Sequence, residues 1–268
     1  MKEDTTSIVD KVNQRTMSSP DAVQTYVDYT KITAAERAIF EQLHDEVRGS
    51  PILDLGVGAG RTVNLLRDLS KNYIGIDYTP EMLEVCRRRF PDVDFQLSDA
   101  RNLSSFAEEQ FKLVVFSCNG LCMVNHADRL RILREVHRVL APDGFFVFST
   151  HNQNSREHSD GMVLPPFRKT WNPARLLVRS LRFLRDTALR IRNHRSLARY
   201  DYRGADYSVI NDRCHHYSTM LYYISLRNQR EQLVDAGFLP DAPAYDAKGS
   251  RITDDTTDNS ITIIARKQ

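Results

Sequence analysis

Three glycines and two aspartates carry the clearest chemical signal in the amino-acid sequence. Gly56, Gly58 and Gly60 directly follow the apolar segment ILDL, which contains Asp54. Three glycines within five residues let another molecule approach the backbone closely, which a turn alone does not require. Asp77 ends a second apolar segment about twenty residues later, where a carboxylate accepts hydrogen bonds from ribose hydroxyls in nucleotide-binding α/β proteins. The spacing therefore predicts a ribose-containing ligand beside a glycine turn.

Two common phosphate-binding motifs are excluded at this turn. A dinucleotide fingerprint of the form GxGxxG needs a small residue at position 61, which is Arg61 here. A P-loop needs Gly-Lys followed by Ser or Thr, and no such tripeptide follows the glycines. The ligand is therefore expected to be neither a dinucleotide nor a nucleoside triphosphate.

The elements that must position these residues alternate between strands and helices. Strands are predicted over residues 51–55, 73–77, 93–97, 111–117 and 144–150, with closing strands near 243–247 and 260–267. Thr79 and Pro80 open one helix, residues 127–144 form another, and Thr33 with Glu36 has capping-box spacing before a third. This alternation predicts an α/β fold with a parallel sheet covered by helices on both faces.

The strand-helix pattern is interrupted once and divides the chain into four parts. Residues 1–50 are predicted to form an N-terminal helical cap and residues 51–150 the ligand-binding core. Residues 151–216 form an insertion with an acceptor lid, and residues 217–268 complete the core. Within the insertion, two tyrosine-rich extended arms are expected to flank a turn at Asn211 and Asp212.

The GxGxG turn, with Asp54 before it and Asp77 after it, resembles motif I of class I S-adenosylmethionine-dependent methyltransferases. The resemblance covers residues 50–150 and the last forty residues, and it implies a Rossmann-like fold with a seven-stranded, mostly parallel sheet. It implies that Asp77 binds the ribose, Asp99 the adenine amino group and Met82 the adenine face. The predicted cofactor-binding residues are Tyr26, Asp54, Gly56, Gly58, Gly60, Arg61, Asp77, Tyr78, Met82, Asp99, Ala100 and Ser117.

Four of these residues have alternative interpretations. Asp77 could instead cap the next helix, and Asp99 could be a turn residue. Arg61 is either a solvated residue of the first helical turn or a partner of the cofactor carboxylate through its planar guanidinium. Tyr26 either closes over the methionine part of the cofactor or packs in the core.

Residues for catalysis should lie near the ends of the fourth and fifth strands. A general base is needed only where the nucleophile is protonated at neutral pH. His151 follows the fifth strand directly, His216 lies in the insertion, and Asn119 is placed to orient a polar group of the substrate. These three are the catalytic candidates, and a structural role is the alternative for each.

The residues after the fourth strand narrow the acceptor by exclusion. The sequence SCNG there differs from the Asn/Asp-Pro-Pro-Tyr motif of enzymes that methylate exocyclic base amines, and Cys118 lacks the preceding proline of cytosine C5 enzymes. A small molecule methylated on oxygen, nitrogen or carbon is therefore the predicted acceptor. The alternatives are an RNA methyltransferase and a non-catalytic protein that binds S-adenosylmethionine.

One segment of the insertion concentrates positive charge. Residues 166–203 contain eleven Lys or Arg and two acidic residues, whereas the whole chain carries a net charge of +2. Within it, an amphipathic helix has one apolar face, formed by Leu177, Leu181, Leu184, Ala188 and Ile191. The helix either packs on the core through this face, docks on a membrane surface, or binds an anionic substrate or RNA.

Composition adds expectations about compartment and metals. No apolar run approaches the roughly 18 residues of a membrane span, and the polar start MKEDTTSIVDKV lacks a signal-peptide core. The four cysteines show neither a CxxC pair nor zinc-ligand spacing. A cytoplasmic protein with reduced thiols and no metal site is expected.

Overall fold

Three helices precede the first strand: α1 (Thr5–Met17), α2 (Pro20–Asp28) and α3 (Ala34–Val47). The computed structural model describes residues 5–159, 161–167, 169–253 and 255–268. The predicted capping box starts α3, because Thr33 Oγ1 accepts from the Glu36 amide (3.1 Å) and the Glu36 carboxylate accepts from the Thr33 amide (2.9 Å). Ile39 and Phe40 of α3 pack in the core of the sheet. Residues 1–50 therefore do not act as one cap, because α3 packs in the core of the sheet.

The predicted strand-helix alternation follows between residues 52 and 152. Its elements are β1 (Ile52–Leu55), α4 (Val63–Leu69), β2 (Tyr73–Asp77), α5 (Pro80–Arg89), β3 (Asp94–Leu97), β4 (Phe111–Phe116), α6 (His126–Val139) and β5 (Leu140–Asn152). α6 ends earlier than expected because Leu140 already pairs with Phe111 of β4 and Pro142 has no amide hydrogen to continue a helix. β5 is correspondingly longer than predicted.

The described residues of the insertion form two α-helices and three strands, besides short 3-10 helices. They are α7 (Arg156–Ser159), α8 (Pro173–Leu197), β6 (Tyr202–Arg203), β7 (Tyr207–Asp212) and β8 (Thr219–Ile224). β7 and β8 form an antiparallel hairpin, and β8 also pairs with the end of β5 in parallel. The turn is a 3-10 helix over Cys214–Tyr217, beyond the predicted position, because Asn211 and Asp212 are paired in β7. The insertion thus extends to Ile224.

The C-terminal part returns to the core as α9 (Leu226–Asp235), β9 (Ala244–Tyr245), β10 (Arg251–Ile252) and β11 (Ser260–Arg266). The main sheet order is β10-β9-β11-β5-β4-β1-β2-β3. β1 to β5 are mutually parallel, whereas β11 is antiparallel to β5. The residues described form eleven strands rather than the predicted seven, because β6, β7, β8 and β10 also join the sheet.

Helices cover both faces of the sheet, as predicted. α6 and α9 bury Leu133 and Leu233 on one face, whereas α3 and α5 bury Ile39 and Leu83 on the other. None of the described helices is both long and apolar enough to cross a membrane. Since the central strands are parallel, their carboxyl ends meet at one edge, and the glycine turn lies there.

Candidate active site

Two glycines shape the turn after β1 in different ways. Gly56 and Gly58 have left-handed backbone, with φ of +60° and +56°. A Cβ atom on Gly56 would lie 2.8 Å from the Phe116 ring, so packing excludes a side chain there. A Cβ atom on Gly58 would meet only the Gly56 carbonyl oxygen, at 3.9 Å. Gly58 is therefore the position where exposed backbone faces open space.

The carboxylate of Asp77 is fixed beside this open backbone. It accepts hydrogen bonds from the amide of Gly58 (2.9 Å) and from the amide of Thr79 at the start of α5 (2.8 Å). Asp77 is only 6% exposed, and its burial raises the pKa of the carboxyl although both amides oppose that shift. The two amides hold its oxygens in a defined orientation at the carboxyl edge of the sheet.

A cleft of about 850 Å³ lies over these two residues. Residues of α1 and α2 close it on one side, and Phe116 and the loop after β4 form part of another side. Nine of the twelve residues predicted to bind a cofactor line it: Tyr26, Gly56, Gly58, Asp77, Tyr78, Met82, Asp99, Ala100 and Ser117. The tertiary structure thus brings together residues that are distant in sequence, from Tyr26 of α2 to Ser117 after β4.

At one end of the cleft, Asp99 belongs to an ionic network that the sequence did not indicate. Its carboxylate accepts from Arg101 Nε and Nη2, at 2.9 and 2.5 Å. Arg101 also contacts Asp10 of α1 (2.9 Å) and Asp128 of α6 (3.2 Å). Asp10 and Arg101 line the cleft as well. This network fastens the N-terminal helix over the site.

Three predicted cofactor ligands do not line the cleft. Asp54 is buried beneath the turn, where Thr62 Oγ1 (2.7 Å) and the Tyr73 hydroxyl (2.9 Å) donate to it, and burial raises its pKa to about 6. Gly60 allows α5 to pack closely, since a Cβ atom there would lie 2.6 Å from the Phe90 ring. Both residues support the turn rather than face a ligand.

Arg61 also lies outside the cleft lining, and it is neither solvated nor directed at the cofactor. Its guanidinium makes two hydrogen bonds to the Glu36 carboxylate, at 2.7 and 2.6 Å, and both side chains are less than a tenth exposed. Both interpretations of Arg61 from sequence are therefore replaced by a buried ion pair that joins the turn to α3.

Tyr26 connects the cleft with the insertion. Its ring lines the cleft and stacks on His215 of the 3-10 helix, with ring centroids 6.0 Å apart. Burial raises the pKa of the Tyr26 hydroxyl above its usual value, so the phenol stays protonated at physiological pH. The uncharged Tyr26 ring therefore lies between the cleft and the 3-10 helix of the insertion.

Buried polar atoms without partners gather on one face of the β7–β8 hairpin and at the end of β5. Among the described residues, His151 Nδ1, His158 Nε2, Ser208 Oγ and Thr219 Oγ1 are buried with no hydrogen-bond partner. The rings of His151 and His158 both contact the ring of Tyr223, at centroid distances of 5.0 and 5.3 Å. Such atoms normally pair with protein, water or a ligand. This group, named here the hairpin polar face, is suited to a polar molecule.

Two further contacts connect the hairpin polar face with its surroundings. The Tyr223 hydroxyl donates to Asp212 Oδ2 at 2.5 Å. The His151 amide donates to Cys122 Sγ (3.2 Å). The next residue, Met123, lines the cofactor cleft and packs against the cluster of Ile210, Leu221 and Tyr223. The hairpin polar face therefore adjoins the cleft through Met123.

The three catalytic candidates lie at different places, and none lines the cleft. Burial lowers the pKa of His151, so its imidazole is neutral at pH 7. His216 is in the 3-10 turn with left-handed backbone, and its Nδ1 is buried without a partner among the described residues. Asn119 accepts from Ser260 Oγ (2.8 Å) through its side chain, which ties the loop after β4 to β11. His151 alone of the three belongs to the hairpin polar face.

Several residues of the site were missed from the sequence because distance along the chain hides them. Asp10 precedes Arg101 by 91 residues, and Asp212 and Tyr223 come from the two strands of a hairpin whose pairing the sequence does not specify. The tyrosine-rich composition of the insertion was the available signal for Tyr223. His158 had no signal at all.

The fold and the site define a class of protein. A mostly parallel sheet with helices on both faces, a glycine turn at its carboxyl edge and a fixed aspartate at the end of β2 are the features of a Rossmann-like fold.

Comparisons with known proteins find similarity to methyltransferases in part of the chain. Residues 52–144 match the family model described as a methyltransferase domain. A demethylmenaquinone methyltransferase of Thermotoga maritima is 31% identical over 130 residues, which are 48% of this chain and 55% of the relative. A probable S-adenosylmethionine-dependent methyltransferase of Mycolicibacterium smegmatis is 27% identical over 130 residues, 48% of this chain and 49% of the relative.

Solved structures agree in fold over almost the whole chain. The CcbJ methyltransferase of Streptomyces caelestis superimposes with a TM-score of 0.61 at 16% identity and covers 99% of both chains. The 1,6-didemethyltoxoflavin-N1-methyltransferase of Burkholderia thailandensis, solved with its substrate and S-adenosylhomocysteine, gives 0.57 at 16% identity and covers 97% of this chain and 90% of its own. Residues 52–144 are therefore similar to a methyltransferase domain, and the whole chain shares the fold of these solved structures. The chain spans about half the length of the curated relatives it matches.

Proposed function

We propose that this protein transfers a methyl group from S-adenosylmethionine to a small-molecule acceptor. The observation that carries the proposal is the buried Asp77 carboxylate, held by two amides next to the open backbone of Gly58. When bound, the cofactor supplies a sulfonium methyl group that is already activated toward nucleophilic attack. The protein's own contribution is to bind, to orient and to exclude water.

The residues of the cleft fit this cofactor. The cleft combines apolar side chains with a few fixed polar groups, which is typical of small-molecule sites. Asp77 would accept hydrogen bonds from the two ribose hydroxyls, because its oxygens are fixed and a carboxylate has several lone pairs. Met82 and Tyr78 offer apolar surface to the adenine ring, and the Asp99 carboxylate is an acceptor for its amino group. Ser117 and Tyr26 would border the methionine part.

The hairpin polar face is the proposed acceptor site. Its orphaned atoms on His151, Ser208 and Thr219 offer hydrogen bonds that no described residue satisfies. A buried group of this kind favours a ligand that carries hydroxyl or amino groups, since such a ligand satisfies atoms that are otherwise desolvated without compensation. The names of relatives that act on demethylmenaquinone and on 1,6-didemethyltoxoflavin support a small molecule.

His151 is the proposed general base. Burial lowers the pKa of its imidazole, so the ring is neutral and able to accept a proton at pH 7. The Asp212 carboxylate opposes that shift and would stabilise the imidazolium formed on proton transfer. His151 would accept the proton of an acceptor hydroxyl or amine as the new bond to the methyl carbon forms.

The test is a His151→Asn variant. Calorimetry measures S-adenosylmethionine affinity, and release of S-adenosylhomocysteine is followed with demethylmenaquinone, 1,6-didemethyltoxoflavin and simple phenols as acceptors. Loss of a general base should lower kcat about 100-fold and leave cofactor affinity unchanged. The wild-type rate should be flat above pH 6.5 and fall at acid pH as His151 is protonated, and the residual rate of the variant should lack this fall.

A matched variant, His44→Asn, changes an exposed histidine of α3 and should retain full rate. Full activity of His151→Asn would exclude His151 as the base. A wild-type protein that binds S-adenosylmethionine but never releases S-adenosylhomocysteine with any acceptor would favour the non-catalytic alternative.

A further inference from the structure

The first half of α8 carries apolar side chains on its outside. No described residue of this 25-residue helix is buried. Leu177, Leu181 and Leu184 are 62%, 59% and 62% exposed, and Trp171, just before the helix, is fully exposed. The alternative in which the leucine face packs on the core is therefore excluded for these three leucines. These four residues are named here the leucine stripe.

The leucine stripe lies away from the contacts that hold α8. Arg190 Nη1 donates to the Val163 carbonyl (2.7 Å), and the Phe183 ring packs edge-on against Phe167, with centroids 5.4 Å apart. Because successive helical residues are rotated by about 100°, Arg190 and Phe183 are about 140° and 120° around the helix from Leu177. The helix is thus held by one side and presents its leucines to solvent on the other.

The second half of α8 is fastened to the insertion. Asn193 Nδ2 donates to the His216 carbonyl (2.9 Å), and His194 Nδ1 hydrogen-bonds Asn211 Oδ1 (2.9 Å). The 3-10 turn that α8 contacts also carries His215, which stacks on Tyr26 of the cofactor cleft. The helix that carries the leucine stripe therefore contacts a turn that also contacts the wall of the cleft.

Positive charge borders the stripe on one side. At about 100° per residue, Arg185 and Arg192 are about 80° and 60° around the helix from Leu177, and Arg182 is about 140° away. Residues 166–203 carry eleven Lys or Arg and two acidic residues, of which Arg168 lies outside the described residues. The surface therefore combines exposed leucines, a tryptophan and a strong excess of arginine.

We propose that the leucine stripe docks on the surface of an anionic lipid bilayer. An interfacial helix of this kind places leucines and tryptophan at the boundary between headgroups and acyl chains, while the bordering arginines contact anionic headgroups. A second copy of the chain would bring two strongly basic segments together, which like-charge repulsion opposes. RNA would neutralise the arginines and leave the leucines in water. An anionic bilayer provides apolar surroundings for the leucines and negatively charged headgroups for the arginines.

Trp171 provides a direct measurement, because it is the only tryptophan in the chain. The full-length protein is titrated with phosphatidylcholine vesicles, with and without phosphatidylglycerol, and both co-sedimentation and Trp171 fluorescence are recorded. We expect binding and a blue shift of the emission with the anionic vesicles, and at least tenfold weaker binding to neutral vesicles.

Two variants separate charge from apolar contact. Arg182→Gln with Arg185→Gln and Arg192→Gln should weaken binding to the anionic vesicles about 100-fold, since each charge contributes roughly fivefold. Leu177→Ser with Leu181→Ser and Leu184→Ser should abolish the blue shift. The matched control, Arg131→Gln with Arg134→Gln and Arg227→Gln, removes three exposed arginines from other helices and should bind as wild type.

Four results would overturn the proposal. The first is that the wild type does not bind anionic vesicles, and the second is that the control variant loses as much binding as the arginine variant. The third is a dimer that sediments without vesicles and that the leucine variant converts to a monomer. The fourth is salt-dependent binding of single-stranded RNA in place of vesicle binding.

Discussion

Residues 5–150, called here the cofactor half, differ from the insertion in how many of their buried polar atoms have a hydrogen-bond partner. Of ten buried side-chain atoms without a hydrogen-bond partner among the described residues, eight lie between His151 and Thr219. In the cofactor half, Asp77 is held by two amides and Glu36 by a bidentate arginine. Unpaired buried polar groups are unfavourable unless something else pairs with them. The contrast places most of the unsatisfied buried polar atoms of the described residues in the insertion, where we propose that the acceptor binds.

The same contrast appears for apolar groups. Residues such as Leu53, Leu133 and Val136 of the core are fully buried, whereas the leucine stripe of α8 is largely in solvent. Substitutions in the cofactor half should therefore affect cofactor binding or stability. Substitutions in the insertion should affect the acceptor or the membrane surface with little change in the free energy of unfolding.

The largest expected effect is loss of cofactor binding in Gly58→Val. A branched side chain there would occupy the open space over the turn, so S-adenosylmethionine affinity measured by calorimetry should fall by at least 100-fold, about 3 kcal/mol. Gly49→Val is the matched control, because Gly49 also has a positive φ, of +72°, with nothing within 4 Å of an added Cβ atom. Both variants carry left-handed strain, and only Gly58→Val should lose the ligand. Equal affinity in the two variants would show that the cofactor lies elsewhere.

A smaller effect is expected on stability when the ion pair of the cofactor half is broken. Glu36→Gln leaves the Arg61 guanidinium buried without a countercharge and should lower the free energy of unfolding by about 3 kcal/mol, measured by urea denaturation at pH 7. Glu41→Gln, an exposed position on the same helix, should change it by less than about 0.5 kcal/mol.

The pH dependence sharpens this prediction. Burial raises the pKa of Glu36, but the hydrogen bonds and the charge of Arg61, together with hydrogen bonds from Thr33, outweigh it and hold the folded-state pKa below the usual 4.5. The stabilisation is therefore present above pH 4.5 and lost as the pH falls through the folded-state value. The difference between wild type and Glu36→Gln should shrink as the pH is lowered below 4.5, and a difference that stays constant would contradict the ion-pair account.

The smallest effect is expected for Leu181→Ala in the leucine stripe. An exposed side chain contributes little to folding, so the free energy of unfolding in the absence of lipid should change by less than about 0.5 kcal/mol. Leu133→Ala, which truncates a fully buried leucine of α6, should lower it by about 2–5 kcal/mol. A comparably large loss for Leu181→Ala would mean that the stripe is buried, and the contrast between the two regions would fail.

Much of the cofactor half could be predicted from sequence because its determinants are local. The glycines follow β1 and Asp77 ends β2, and both strands are recognisable by their apolar pattern. The carboxyl ends of neighbouring parallel strands meet at the same edge of a sheet. The capping box of α3 needed only Thr33 and Glu36, three residues apart. The second role of Glu36 could not be predicted, because its partner Arg61 is 25 residues away and the sequence does not specify which helix packs beside the turn.

The sequence by itself determined the order of strands and helices and the glycine turn, since these depend on apolar periodicity and on backbone freedom within short segments. It also predicted an amphipathic helix over residues 173–195, which is α8 (Pro173–Leu197) in the structure. Only the tertiary structure decided which face of α8 is held and which is exposed, because an apolar stripe is equally suited to a core or to a partner. Likewise, only the pairing of β7 with β8 and of β8 with β5 brought His151, Asp212 and Tyr223 together, since strand pairing is fixed by contacts between segments distant in sequence.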